Sequence, residues 1–197
     1  MITLVGGQKG GTGKSTVAIN LAGFLSLQGK DVLLIDANQD QGSASNWAER
    51  RVELGKPQVT CIEKSGNIAQ AVLDLASRFD EVIIDTGGQD SKEFRTALCI
   101  AHVLLTPFEC SQHSLDTIAN ILALVSQAQD INPQLVAKSV ITKAPTSPRV
   151  TILNETQDLL SSIAEMPLLK TVIHNRIEYS YTANGWCVEE SKNLKAR

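Results

Sequence analysis

Aromatic residues are scarce: Phe, Tyr and Trp make up 4% of the 197 residues. A core must therefore be built mainly from Val, Ile, Leu and Ala. No stretch approaches the ~18 consecutive apolar residues that a membrane-spanning helix needs. The opening MITLVGGQKGG has no charged leader, and its apolar run is too short for a secretion signal. The expected compartment is the cytosol. Among the four cysteines, Cys61, Cys99, Cys110 and Cys187, no two stand as C-x-x-C, and no His sits beside them at ligand spacing. They read as reduced thiols rather than as a disulfide framework or a metal centre. Positive charge is not in excess either. Lys and Arg number 18 against 21 Asp and Glu, a net charge of −3. Any DNA contact would need a local basic patch, assembled by pairing two copies.

No internal repeat, low-complexity tract or Pro/Gly-rich linker divides the chain. The loosest segment, KAPTSPRV over 143–150, is too short for a boundary. The expectation is a single domain spanning 1–197.

What is present is an alternation of short apolar runs with helical periodicity. Strands are predicted at Ile2 to Val5, Val32 to Ile35, Val59 to Ile62, Val82 to Ile84, Val103 to Leu105 (stopped by Pro107), Val136 to Ile141 and Leu168 to Ile173. Helices are predicted over Lys14 to Gln28, closed by Gly29, and over Ser43 to Leu54. Apolar spacing marks further helices along Ile68, Val72, Leu75 and Phe79, along Leu115, Ile118, Leu122 and Val125, and along Ile152, Leu159 and Ile163. Strands alternating with helices imply an α/β fold, with one doubly wound, mostly parallel sheet carrying helices on both faces.

The sharpest motif is Lys9-Gly10-Gly11-Thr12-Gly13-Lys14-Ser15-Thr16, between the first strand and the first helix. Glycines let backbone N–H groups turn inward as an anion cradle, and the helix N-terminus adds its dipole. Lys14 is placed for β- and γ-phosphates, Ser15 for Mg²⁺ and Thr16 for the α-phosphate. The general G-x-x-x-x-G-K-[ST] pattern fails by one residue, because Gln8 stands where glycine is required and Gly7 is one place early. The form K-G-G-x-G-K-[ST] fits throughout. It resembles the deviant Walker A loop of the ParA/MinD family of P-loop ATPases.

Asp36 follows Val32-Leu33-Leu34-Ile35, and Asp85 follows Val82-Ile83-Ile84. Ligands of parallel sheets bind at the carboxyl ends of strands, so both acids should face the loop. Asp85 has the Walker B position for Mg²⁺, and Gly87 and Gly88 after it resemble the family's second switch. Asp36 opens a segment, through Ser43, that resembles the first switch and is a further candidate for the metal; a turn or helix cap is its other reading. Asn38 stands where relatives carry the acid that orients the attacking water. Asp40 lies two residues on, so either Asn38 or Asp40 takes that part.

The resemblance implies more. ATP or ADP with Mg²⁺ would be the cofactors. Lys9 would cross to the partner's nucleotide in an ATP-closed homodimer, stabilising transition-state charge alongside Lys14. Thr142 and Lys143, in Ile141-Thr142-Lys143-Ala144-Pro145, would help frame the adenine; no N-K-x-D guanine signature is present. Basic residues near the carboxyl end, Arg176 first and Lys170 next, would hold nonspecific DNA, or they are scattered solubilising charges. Lys192, Lys195 and Arg197 follow them.

The chain opens directly on its first strand, like the short ParA type without an N-terminal helix-turn-helix. Its ending, EESKNLKAR, has one large apolar residue and cannot bury an apolar face in lipid. The expected function is a slow, partner-stimulated ATPase of plasmid or chromosome partition, nucleoid-associated in bacteria, with a centromere-binding, ParB-like adaptor. The alternative is an ATP-bound scaffold or positioner for a protein cargo. A metabolic ligase or reductase is a further rival, although Cys99 and Cys110 do not fit the reductases' interfacial cysteine pair.

Overall fold

The computed structural model describes residues 1–38, 42–88, 90–147 and 151–191. Among them, seven strands form one sheet: β1 (Ile2–Val5), β2 (Val32–Ala37), β3 (Thr60–Glu63), β4 (Glu81–Thr86), β5 (Val103–Glu109), β6 (Val136–Ala144) and β7 (Leu168–His174). Their order is β3-β2-β4-β1-β5-β6-β7, and every neighbouring pair is parallel. The helices are α1 (Lys14–Leu27), α2 (Ser43–Glu53), α3 (Ala69–Ala76), α4 (Lys92–Leu98), α5 (Gln112–Leu115), α6 (Ile118–Gln129), α7 (Ile152–Ser161) and α8 (Ile177–Thr182), with a 3₁₀ turn at Val188–Glu190.

Two apolar layers clothe the sheet, and strand parity decides which side chain joins which. Ile2, Leu4, Leu33, Ile35, Val82 and Ile84 pack with α3, α4, α6 and α7 residues such as Val72, Phe94, Val125 and Leu160. Val5, Val32, Leu34 and Ile83 pack on the other side with Ala18, Ile19 and Ala22 of α1 and Ala44, Trp47 and Ala48 of α2. Asp36 and Asp85 continue the parity of Leu34 and Ile83. Both carboxylates are therefore delivered to the face of α1 and α2, and their residues pair directly across β2 and β4.

The predicted architecture is the observed one, with local differences. β5 runs through Pro107. Backbone groups alternate sides along a strand. Leu105 presents its carbonyl to β1, accepting from Gly6 N–H at 3.1 Å, so Pro107 faces the same side, where β1 has ended. Its missing donor costs no ladder bond. The predicted long helix from Leu115 is divided into α5 and α6, where the Thr117 hydroxyl donates to the Ser114 carbonyl at 2.7 Å. Helix α4 lacks a predicted counterpart, although Ser91 caps it by accepting from Phe94 N–H at 3.1 Å.

The carboxyl-terminal segment returns over α1 and α2. The Trp47 indole N–H donates to the Trp186 carbonyl at 2.8 Å. Arg51, fully buried, pairs with Glu190 at 2.8 Å and donates to the carbonyls of Pro57 and Gly185. Burial alone would raise the Glu190 pKa. The Arg51 hydrogen bond, the Cys187 N–H and the charges of Arg51 and Lys56 outweigh it and hold the carboxyl below its ordinary range. No described helix is long and apolar enough to cross a membrane.

Candidate phosphate-binding site

The loop from β1 ends on Gly13, the residue before α1, at φ 90°. That left-handed backbone suits glycine. Gly13 offers no side-chain cap, and the first turn of α1 carries no acidic residue. Its N–H groups and positive dipole end are thus left to an external anion. A cavity of about 660 Å³ opens there, lined by Gly10, Gly11, Gly13, Lys14, Ser15 and Thr16. Asn38, Gly87, Gly88 and Lys143 line it too. Small-molecule sites commonly occupy about 300–1,000 Å³.

Lys14 is buried, and its ammonium donates to the Lys9 carbonyl at 2.7 Å. Burial lowers its pKa, against the opposing charge of Asp85. Asp85 is 0% exposed, and neither carboxylate oxygen has a hydrogen-bond partner among the described residues. Burial pushes its pKa up to about 7. The nearby Ser15 hydroxyl pulls it down without completing a hydrogen bond, Asp36 raises it, and Lys14 lowers it. Two orphaned oxygens beside a hydroxyl and a phosphate cradle fit Mg²⁺, which takes few protein ligands and completes its shell with phosphate and water. Consistent with that, no cage of three or more His, Cys, Asp or Glu exists among the described residues.

Asp36 caps a helix. Its carboxylate already accepts three backbone N–H bonds, from Asn38 at 3.1 Å, Ala44 at 2.9 Å and Ser45 at 3.1 Å. It holds the amino end of α2, the helix-cap reading of this residue, and helix-dipole logic favours that placement. Asn38 packs on the second switch, its Oδ1 3.2 Å from where a Gly87 Cβ would stand. Asp40 lies outside the described residues.

Thr12 and Thr142 meet each other under the loop. Neither lines the cavity; both are buried, and the Thr142 hydroxyl donates to the Thr12 carbonyl at 2.6 Å. Thr142 is a strut under the loop. Lys143 does reach the cavity, and it is the one non-glycine at positive φ (51°) among the described residues. Such strain persists where surrounding structure imposes it.

Lys9 sits at the rim. Its ammonium is engaged by the Glu109 carboxylate and by Ser111 Oγ at 3.1 Å. Burial would raise the Glu109 pKa, but the Lys9 hydrogen bond and charge, then Ser111 and Lys143, bring it below its ordinary range. Lys170 is exposed on edge strand β7, whereas Arg176 precedes α8. Strand β7 ends at His174, and Arg176 lies two residues beyond it. Lys192, Lys195 and Arg197 lie outside the described residues.

A loop of this form, on a central strand and above a buried acid, can be set beside known proteins. The family model described as the CobQ/CobB/MinD/ParA nucleotide binding domain matches residues 3–184. The chain belongs to this family. It is similar to the chromosome-partitioning ATPase Soj of Thermus thermophilus, 27% identical over 157 residues, covering 65% of this chain and 63% of Soj. The alignment thus takes in less than two thirds of Soj. It is also similar to the maintenance of carboxysome distribution protein A of Halothiobacillus neapolitanus, 26% identical over 173 residues, 87% of this chain and 78% of that protein. Among solved structures, Cyanothece McdA superposes with a TM-score of 0.79 at 14% identity, covering 99% and 94% of the two chains. Mycobacterium smegmatis cobyrinic acid a,c-diamide synthase, with bound ADP and magnesium, gives 0.76 at 21% identity, covering 93% and 91%. At these identities the superpositions establish the fold shared across the CobQ/CobB/MinD/ParA family.

Within that family fold, α8 contributes residues that sequence reasoning missed. Tyr179, Thr182 and Ala183 line the cavity. Six residues are too few for a periodic signal, and long-range bonds hold α8 over the loop: the Asn20 amide to Thr182 Oγ1 at 3.4 Å and the Arg50 guanidinium to the Ala183 carbonyl at 2.8 Å. Glu109 and Ser111 were missed as well. Their bond to Lys9 spans about a hundred residues, and no local pattern announces it.

Proposed function

We propose that this chain is an ATP-dependent switch of the partition kind, a slow ATPase that pairs on binding ATP and then holds nonspecific DNA. The carrying observation is a glycine loop whose buried Lys14 feels the charge of a buried and unpartnered Asp85, with Lys9 held beside the loop by Glu109 and Ser111. Backbone N–H groups of Gly10 to Gly13 and the α1 amino end would cradle the β-phosphate. Lys14 would neutralise the β- and γ-oxygens. Ser15 and Asp85 would hold Mg²⁺, Asp85 through a water; bound there, the ion offsets charge on the phosphates. Asn38 or Asp40 would orient the attacking water, which a loose transition state does not require to be deprotonated early. Lys9, from the facing subunit, would meet the charge developing on the leaving side. Tyr179 and Lys143 would bound the base.

In this reading Asp36 acts through position, holding α2 and with it the first switch. Arg176 and Lys170 would contribute to DNA binding only once two chains align their copies. A ParB-like, centromere-binding adaptor would stimulate hydrolysis and release the DNA, in the bacterial cytoplasm on the nucleoid. The likeness to Soj supports partition. DNA binding measured with ATP, with ADP and after Lys9→Ala tests it. Tight binding with ATP alone is expected, and equal binding in all three overturns the switch.

A second reading is a positioner of protein cargo that turns over little ATP. Asn38 favours it, because an amide orients water but takes no proton. The likeness to the carboxysome distribution protein points the same way. Steady-state phosphate release with and without DNA and adaptor separates the two: stimulation supports partition, and flat turnover supports the scaffold.

A further inference from the structure

We propose that Glu109 is a built-in catch on Lys9, a positioning residue that sets how much ATP the chain needs before a second copy can engage. The proposal rests on the dimer reading above and deepens it.

Lys9 is restrained at three points. Its ammonium lies on the Glu109 carboxylate and on Ser111 Oγ at 3.1 Å, while the Ser111 hydroxyl itself donates to Glu109 Oε1 at 3.1 Å. Its carbonyl accepts from Lys14 at 2.7 Å. Its peptide is overlaid by the second switch: a Cβ on Gly88 would stand 2.8 Å from the Lys9 carbonyl carbon and 2.4 Å from Gly10 N. The acid is rigidly placed. Glu109 ends β5, its N–H donates to Ser114 Oγ at 3.3 Å, and Ser111 caps α5.

An ammonium satisfied by Glu109 in its own chain cannot at the same time serve phosphates in another. The restraints are nonetheless of a kind that a triphosphate undoes. Phosphate oxygens compete with the Lys9 carbonyl for Lys14. A γ-phosphate requires room where Gly88 meets the loop. The last restraint is exchanged anion for anion, the carboxylate of Glu109 for phosphates across the interface. The Lys9 and Glu109 side chains are 26% and 24% exposed, so this exchange takes place at the surface, where ion pairs are weak. A diphosphate offers fewer charges for the exchange and leaves the catch closed.

A pair of this exposure restrains by about twofold to fivefold. Both copies must be freed, so removing the catch should strengthen ATP-dependent pairing about fourfold to twenty-five-fold. The experiment titrates ATP against wild type, Glu109→Gln and Ser111→Ala, reading mass by light scattering, with ADP as control. In parallel, acetylation of Lys9 by an amine-reactive reagent is timed by peptide mass in protein without nucleotide. Expected are half-maximal pairing at lower ATP and faster Lys9 labelling in Glu109→Gln, with a smaller change of the same sign in Ser111→Ala. Should Glu109→Gln not fold, Ser111→Ala carries both measurements. Wild type that pairs with ATP, joined to variants whose pairing and labelling are unchanged, overturns the catch and spares the dimer. Wild type that stays monomeric with saturating ATP overturns the dimer reading and the catch with it.

Discussion

Asp36 and Asp85 stand opposite each other on β2 and β4, and only Asp36 has its carboxylate met by donors. Asp85 is a charge kept out of water, offset only by the nearby Ser15 hydroxyl and the ammonium of Lys14. Such a group stabilises a ligand rather than the chain that carries it. Asp85→Asn should therefore raise stability without nucleotide at pH 8 by about 1–2 kcal/mol. The gain is held to that size because Lys14 loses its counter-charge. Urea unfolding at pH 8 measures the gain, and ATP titrations with and without magnesium should show the variant's magnesium dependence gone. A loss of stability would mean the carboxylate has a partner in solution.

Gly88 lies too close to the loop to carry a side chain. A Cβ at 2.4 Å from Gly10 Cα forces the second switch away. Gly88→Ala should fold with a penalty of about 1–3 kcal/mol. On the switch proposed for this segment, the variant's preference for ATP over ADP should shrink as the segment is displaced from the loop. Calorimetric affinities for both nucleotides decide the matter.

Thr142→Val keeps the shape of the strut under the loop but removes the donor to the Thr12 carbonyl. Leaving that buried acceptor unmet costs about 1–3 kcal/mol. Affinity for ATP and ADP should fall together, since the bond supports the cradle common to both. A loss confined to ATP would place Thr142 at the γ-phosphate instead.

Glu190→Gln should cost about 3 kcal/mol at pH 7, because Arg51 remains buried without its counter-charge. The net shift of the Glu190 carboxyl is downward, so the folded chain binds this proton less readily than the unfolded one. Its contribution is then fully present above the unfolded value of about 4.3 and is lost as pH falls through the lower folded value. The difference between wild type and variant in urea unfolding should be constant from pH 8 to 6 and shrink below pH 4.5. A difference that does not shrink at all as pH falls below 4.5 would assign the effect to packing.

The centre of the fold was readable because its strands alternate cleanly: Leu33 and Ile35 against Val32 and Leu34 already specify two covered faces, and the glycine loop follows without a gap. Asp85 was readable for the same reason, as the acid ending an apolar run. The cap formed by Asp36 was not, because a strand-ending Asp has the same spacing whether or not it caps a helix; the N–H groups of Ala44 and Ser45 show that it does. Pro107 reads as a stop unless the length of the neighbouring strand is known. At the split of α5 from α6 the Thr117 hydroxyl turns back to the Ser114 carbonyl, a contact that apolar spacing does not reveal. The partners of Lys9 and the position of α8 arise from contacts between distant segments, to which periodicity is blind.

β1 is the first strand of the chain and lies in the middle of the sheet, between β4 and β5. Its two flanking neighbours are thus supplied only when residues 81–109 have been made. The glycine loop is synthesised before them, yet it has no floor until Asp85 arrives and no strut until Thr142 does. Nucleotide affinity is therefore a property acquired late in synthesis, and premature fragments would carry the motif without the grip.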